Sequence, residues 1–202
     1  MRIYLVRHGR TAWNREKRLQ GSIDQPLDEE GESQAHQLGI RLKEVDFEKI
    51  YSSPLSRAHR TACILNQYMQ KEVSVEPALR EGSYGSAEGL TQSEYHQIFA
   101  SQLAEAKSLP LNQRARHRTI PGSETMAEVA NRALPFLMNL AQTQKGKNLL
   151  IVSHGGVIRS LLVTLFEMDD TGFSIENTGY VVLEFKDACF TMKETSGFVK
   201  HK

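Results

Sequence analysis

Two four-residue apolar runs stand between polar flanks far apart in the chain, Ile3-Tyr4-Leu5-Val6 and Leu149-Leu150-Ile151-Val152. Runs of this kind mark strands buried on both faces, as in the interior of a parallel sheet. Each run leads into a histidine and a glycine: Arg7-His8-Gly9 after the first, Ser153-His154-Gly155-Gly156 after the second. Between them the pattern turns helical. From Gly31, the residues Ala35, Leu38, Leu42 and Val45 recur at helical spacing, and Lys49-Ile50-Tyr51 then gives a short strand. Ser52-Ser53-Pro54 reads as a helix start with Pro54 at the first helical position, followed by an apolar stripe of Ala58, Ala62, Leu65 and Met69. A weaker period through Tyr95, Ile98, Phe99 and Leu103 predicts a helix over 91–107, and the proline-bearing stretch 109–122 reads as a loop. Ser123-Glu124-Thr125 opens another helix with Met126, Val129, Ala130, Ala133, Leu137 and Leu140 on one face. Its apolar period resumes in phase after Pro135, which predicts a kink and no break. A helix through Leu161, Leu162 and Leu165 follows the second histidine. Strands over 180–185 and 189–193 come last, joined by Lys186-Asp187-Ala188 as an antiparallel hairpin.

Strands alternating with helices predict an α/β three-layer sandwich. It has a mostly parallel central sheet, helices on both faces and an antiparallel edge strand. Right-handed crossovers place the residues after strands one, two and the Leu149 strand on one rim, which collects Arg7, His8, Arg57 and His154. The 202 residues, 40% hydrophobic, suit a single domain over 1–202. With 25 Lys and Arg against 24 Asp and Glu, the net charge of +1 offers no general attraction to nucleic acid or an anionic membrane. The apolar stretch after Met1-Arg2 is shorter than a signal-peptide core, and no window approaches the roughly 18 apolar residues of a membrane span. A cytoplasmic location is therefore expected. Cys63 and Cys189 lie far apart without metal or redox spacing and read as reduced core thiols.

Either histidine alone could be a locally hydrogen-bonded residue; the pair on one rim points to a shared site. Arg7 puts a permanent cation beside His8 and favours an anionic substrate. Arg57 falls in the first turn of its helix, where the helix dipole disfavours a cation by about a few tenths of a kcal/mol. A phosphate bound by that helix start and the guanidinium would offset this; a solvated surface arginine is the alternative.

Several ordered motifs resemble the histidine phosphatase superfamily, also called phosphoglycerate mutase-like. They are Leu5-Val6-Arg7-His8-Gly9 with Thr11 and Trp13-Asn14; Leu19-Gln20-Gly21 with Asp24 and Pro26-Leu27; and Ser52-Ser53-Pro54-Leu55 with Arg57-Ala58 and Thr61. Leu79-Arg80-Glu81 with Gly85 and Glu88-Gly89, Gly122 with Glu124-Thr125 and Arg132, and Val152-Ser153-His154-Gly155-Gly156 complete the set. The resemblance implies that His8 attacks a substrate phosphorus while Arg7, Arg57 and His154 hold the non-bridging oxygens and Asn14 touches the same group. It assigns the general acid to Glu81, which would then deprotonate the water that hydrolyses phospho-His8. A neutral imidazole is a competent nucleophile near pH 7, whereas a phosphate dianion repels electron pairs until cations neutralise it. Two guanidiniums supply that charge, and no carboxylate cluster of the kind that holds Mg²⁺ is evident, so no metal or other cofactor is expected.

The implied activity is hydrolysis of a small phosphorylated metabolite, with Thr11, Gln20, Gly21, Tyr84, Gly155, Arg114 and Arg116 as further substrate-binding positions. The family's mutases carry a longer insertion than the stretch between Gly89 and Gly122, and an arginine where this chain has Gly82. Trp13, Asn14 and Tyr84 match the mutase pattern, so a cofactor-dependent phosphoglycerate mutase is the alternative. An inactive relative that binds phosphorylated ligands or proteins is the second. Arg10 and Ala87 depart from the phosphatase pattern, and Arg10 either adds a cation for a second anionic group or points to solvent. The run from Lys107 to Arg118, with Arg114, Arg116 and His117, either reads a substrate carboxylate or second phosphate or is a solvated loop. Glu88 reads as a structural residue that accepts from nearby backbone amides. Exposed edge strands near Cys189 would support a homodimer.

Overall fold

The computed structural model describes residues 1–201. Six strands form one sheet: β1 (Arg2–Arg7), β2 (Phe47–Ser52), β3 (Val73–Val75), β4 (Asn148–Ser153), β5 (Phe173–Lys186) and β6 (Cys189–Lys200), in the order β3-β2-β4-β1-β5-β6. The first four in that order run parallel, and β5 and β6 close the edge antiparallel. The helices are α1 (Ala12–Arg15), α2 (Glu29–Leu42), α3 (Ser56–Met69), α4 (Gln92–Ile98), α5 (Ala100–Ser108), α6 (Leu111–Arg114), α7 (Met126–Thr143) and α8 (Gly155–Phe166).

The two-residue alternation of the central strands divides the core. Ile3, Leu5, Leu149 and Ile151 pack on one face against Ala133 and Leu137 of α7 and Val157 and Leu161 of α8. Tyr4, Val6, Leu150 and Val152 pack on the other against Leu38 and Leu42 of α2 and Ala58, Ala62 and Leu65 of α3. Each such leucine or isoleucine, wholly removed from water, contributes about 1.5–3 kcal/mol. The expected three layers are therefore present.

Several boundaries differ from those the sequence predicts. The Ser53 amide donates to the Val152 carbonyl at 2.9 Å, which keeps the chain extended, so α3 begins only at Ser56 and Pro54 lies ahead of the helix. The helix expected over 91–107 breaks at Phe99, whose ring buries into a satellite core with Ala87 and Ile120 and so divides α4 from α5. The loop 109–122 contains α6. Thr125, not Ser123, caps α7 through a reciprocal capping box with Glu128, and α7 runs on through Pro135. β5 and β6 are longer than expected, and β3, only three residues with a central serine, carries too little pattern to be seen. The hairpin turn narrows to Asp187 and Ala188, both at positive φ. Neither cysteine is a core thiol: Cys63 is half-buried and Cys189, beside that turn, is exposed. Among the described residues no helix is long and apolar enough to cross a membrane.

Gly9 and Gly31 let the loop after β1 sit directly on the start of α2. A Cβ on Gly9 would strike the Gly31 carbonyl, and one on Gly31 would strike the Arg10 backbone. Gly31→Ala should therefore destabilise the protein by about 1–3 kcal/mol through overpacking, read as a lower urea midpoint with an unchanged m value.

Candidate active site

Because β4 lies between β1 and β2, the carboxyl ends of these three strands stand side by side. The His8 amide continues the ladder by donating to the Ser153 carbonyl at 3.0 Å. His154 consequently sits between Ser53 and His8. Its Nε2 lies 2.7 Å from Ser53 Oγ, and the two imidazole centroids are 5.2 Å apart.

Both rings are buried, at 3% and 0% exposure. His8 Nδ1 is 2.7 Å from the Gly9 carbonyl, which can only accept, so the neutral ring carries its proton on Nδ1 and its lone pair on Nε2. Burial first, then the Arg7 and Arg57 charges, hold the His8 pKa well below the usual imidazole value. Burial also depresses His154, helped most by Arg57.

Arg57, 1% exposed, donates to the carbonyls of Ile23 at 2.9 Å and Gly21 at 2.8 Å, while Arg7 donates to the Ile175 carbonyl. Burial pulls both guanidinium pKa values down against the opposing charge of Glu81. The Nε atoms of Arg7, Arg57 and Arg159, with His154 Nδ1 and Gln20 Oε1, are buried without a partner among the described residues. The Glu81 carboxylate accepts from the Gly82 amide at 2.9 Å and the Gly156 amide at 3.1 Å, and a Cβ on Gly156 would collide with it. Glu81 also raises the Tyr84 phenol to about 12, with burial adding to the effect.

Arg7, His8, Arg57, Glu81, Gly156 and Arg159 line a cavity of about 280 Å³ together with Asn14, Arg18, Gln20, Gly21, Tyr84, Gln92, Gly155 and Ser174, and His154 is buried behind His8. Glu81 is its one carboxylate, against the guanidiniums of Arg7, Arg18, Arg57 and Arg159. Buried N–H donors lacking partners beside such an excess of positive charge fit a compact anion with several acceptor oxygens. Among the described residues no group of three or more His, Cys, Asp and Glu side chains is placed to hold a metal ion.

Three expected site residues lie elsewhere. Thr11 is wholly buried and caps α1, its hydroxyl spent on Asn14 Oδ1. Arg114 is taken up by Asp169 at 3.0 Å and Asp170 at 2.6 Å, and Arg116 lines a separate cavity beside Leu111, Ala127 and Val163. The rest of the basic run is divided. Arg118 pairs with Glu128 at 2.6 Å, while Lys107 and His117, with Arg114, line a neighbouring cavity that shares Tyr84. Arg10 bonds Asp28 at 2.9 Å through Nε and keeps a third of its side chain exposed, outside the lining of this cavity. Glu88 accepts from the amides of Ser22 at 2.8 Å and Tyr84 at 3.0 Å, tying two of the cavity's loops together.

Sequence reasoning missed Arg159, Arg18, Gln92, Ser174 and the partner role of Ser53. Arg159 is the fifth residue of α8, past the first turn in which the helix dipole marks Arg57 in α3, so its position carries no comparable signal.

Residues 3–196 match the histidine phosphatase superfamily (branch 1), and the protein belongs to that family. It is 32% identical over 206 residues to the uncharacterized phosphatase PhoE of Bacillus subtilis (strain 168), covering 98% of each chain. It is 31% identical over 213 residues to the probable phosphoglycerate mutase GpmB of Escherichia fergusonii, covering 100% of this chain and 94% of that one. A mycobacterial glucosyl-3-phosphoglycerate phosphatase solved with VO3 superposes with a TM-score of 0.84 at 26% identity, over 95% of this chain and 96% of that one. The comparisons support an enzyme of the phosphatase and mutase class.

The depressed histidines give a signed expectation. A histidine whose folded pKa lies below its unfolded value of about 6.5 contributes stability that is complete above that pH and is lost as pH falls toward the folded value. In the ligand-free protein the ring C–H resonances of His8 and His154 should therefore show no titration midpoint near 6.5, with stability declining below it. A midpoint at or above 6.5 for either ring would contradict its burial as a neutral group.

Glu124 offers a separate test. Burial alone would raise its pKa, but Arg80, Arg132 and the Ser83 amide hold it at about 2. Glu124→Gln should cost about 1–2 kcal/mol, with the exposed Arg80 arm supplying the smaller part. The loss should be read in denaturant at neutral pH and should shrink only as acid takes the parent protein from about 4.5 toward 2.

Proposed function

We propose that the protein hydrolyses phosphomonoesters of small metabolites through a phosphohistidine formed on His8. The observation that carries this reading is the fixed tautomer. With Nδ1 bonded to the Gly9 carbonyl, the Nε2 lone pair is the reactive end of a neutral ring set among partly unpaired arginines.

In the first step Nε2 of His8 attacks the phosphorus, the ester P–O bond breaks, and protonated Glu81 delivers its proton to the departing alkoxide. In the second, the Glu81 carboxylate takes a proton from water, and the resulting hydroxide displaces His8 from phosphorus and releases inorganic phosphate. Arg7, Arg57 and His154 Nδ1 hold the three non-bridging oxygens, and Asn14 adds a donor to the same group. Preorganised donors in a buried site act most strongly where charge develops, which suits a transferring phosphoryl group. The Gly82 and Gly156 amides keep the Glu81 carboxylate in place between its two proton transfers.

The likeness to GpmB favours phosphoglycerate mutase as the second reading. The two readings part at the fate of phospho-His8, which either meets water or returns its phosphoryl group to a second hydroxyl.

An aryl phosphate should be turned over with an acid-labile phosphoenzyme detectable on rapid quench. His8→Ala should abolish that intermediate and lower kcat by about 10⁴-fold, and Glu81→Gln should lower kcat by about 10²–10⁴-fold. With 3-phosphoglycerate, phosphate release should outpace isomerisation whether or not 2,3-bisphosphoglycerate is present. Faster isomerisation would establish the mutase, and turnover unaffected by His8→Ala would remove the mechanism.

A further inference from the structure

We infer that Asn177, on the neighbouring strand β5, is a positioning residue that orients Asn14 and His8 for phosphoryl binding; the inference rests on the phosphatase reading of the site. Pairing between β5 and β6 is in register at Ile175 with Phe198 and again at Tyr180 with Ser196. Residues 176–179 therefore bulge out opposite Gly197 alone. At the bulge Thr178 takes φ of 55°, a left-handed conformation unfavourable for a β-branched residue and tolerated where neighbouring contacts hold it. Those contacts lead to the site. The Thr178 amide donates to the His8 carbonyl at 3.3 Å, and Asn177 Nδ2 donates to the same carbonyl at 3.1 Å and to Asn14 Oδ1 at 3.2 Å.

Main-chain groups fix the orientation of both amides. The Thr11 N–H can only donate, so the end of Asn14 that meets it at 3.1 Å is oxygen. The His8 carbonyl can only accept, so the end of Asn177 that faces it is nitrogen. Asn14 Oδ1 thus receives the Thr11 amide, the Thr11 hydroxyl and Asn177, which leaves its Nδ2 as the end available to the cavity that Asn14 lines. A flipped Asn14 would present oxygen to an incoming anion. Thr178 already supplies the His8 carbonyl with a donor, so satisfying that carbonyl does not by itself require Asn177. What Asn177 adds is the link between the nucleophile's backbone and the Asn14 amide.

The test is a double-mutant cycle on Asn177→Ala and Asn14→Ala, read by vanadate calorimetry and by p-nitrophenyl phosphate kinetics. If Asn177 acts through Asn14, Asn177→Ala weakens vanadate about tenfold and lowers kcat similarly with KM within about twofold, and adding it to Asn14→Ala changes either by less than about twofold. An equal loss in both backgrounds, or no loss in the parent, overturns the inference. Should Asn177→Ala fail to fold, Asn177→Asp keeps the shape without the donor and is read in the same cycle. A parent protein that never turns over the ester defeats the phosphatase reading, while the vanadate cycle still decides whether Asn177 and Asn14 are coupled.

Discussion

Arg57 is buried to 1% exposure with Arg7 beside it, and the carboxylate that opposes both lies on Glu81. Taking a guanidinium out of water costs several kcal/mol unless hydrogen bonds replace the lost solvent. Here the replacement is backbone carbonyl: Gly21 and Ile23 for Arg57, Ile175 for Arg7. Carbonyls stabilise the cations without neutralising them, so the positive potential survives in the cavity. Burial first, and that potential after it, hold the two imidazole pKa values down, and the potential favours an anion with oxygens to spare. The loops around the cavity serve the same constraint, since Glu88 holds the segment carrying Gly21 against the turn carrying Tyr84.

The sheet and the loop bearing Glu81 are fastened to each other just as firmly. Ser153, the last residue of β4, donates its hydroxyl to the Leu79 carbonyl at 2.8 Å. Arg132 on α7 donates to the Ala78 carbonyl at 2.6 Å and also meets Glu124, which in turn holds Arg80. The carboxylate is thereby referenced to β4 and α7, and through β4 to His154. A carboxylate carried on a loop thereby gains the precision of a strand end.

Periodicity made legible what periodicity builds. The apolar runs at β1 and β4, and the stripes of α2, α3 and α7, appeared because one buried face or two buried faces dictated them. Arg57 was legible for a different reason: a cation near a helix start contradicts the local field, and contradictions of that kind mark function. Arg159 lies a turn further along α8, beyond the reach of that field, and so leaves no such mark. Where a single side chain overrides a pattern, the pattern misleads: Phe99 ends α4 to bury its ring, and Ser53 delays α3 by staying paired to β4. Asn177 was beyond reach, since its aim depends on a bulge and on Thr178 at positive φ, and neither leaves a trace in composition or spacing. Arg114 and Arg116 stand outside the lining of the histidine cavity: Asp169 and Asp170 pair with the first, which also lines the neighbouring cavity that shares Tyr84, and the second lines another.

The strand order has a consequence for how the chain comes into being. The segment ending in His8 is made well before its neighbours, residues 148–153 on one side and 180–184 on the other. On the ribosome this strand must wait, apolar and unpaired, until β4 and β5 have emerged. Pairings so distant along the chain slow folding and leave sticky edges exposed meanwhile. A nascent fragment lacking β4 and β5 would hold His8 without the partners that fix its ring and withdraw it from water, and so would be an inert intermediate in need of protection from aggregation.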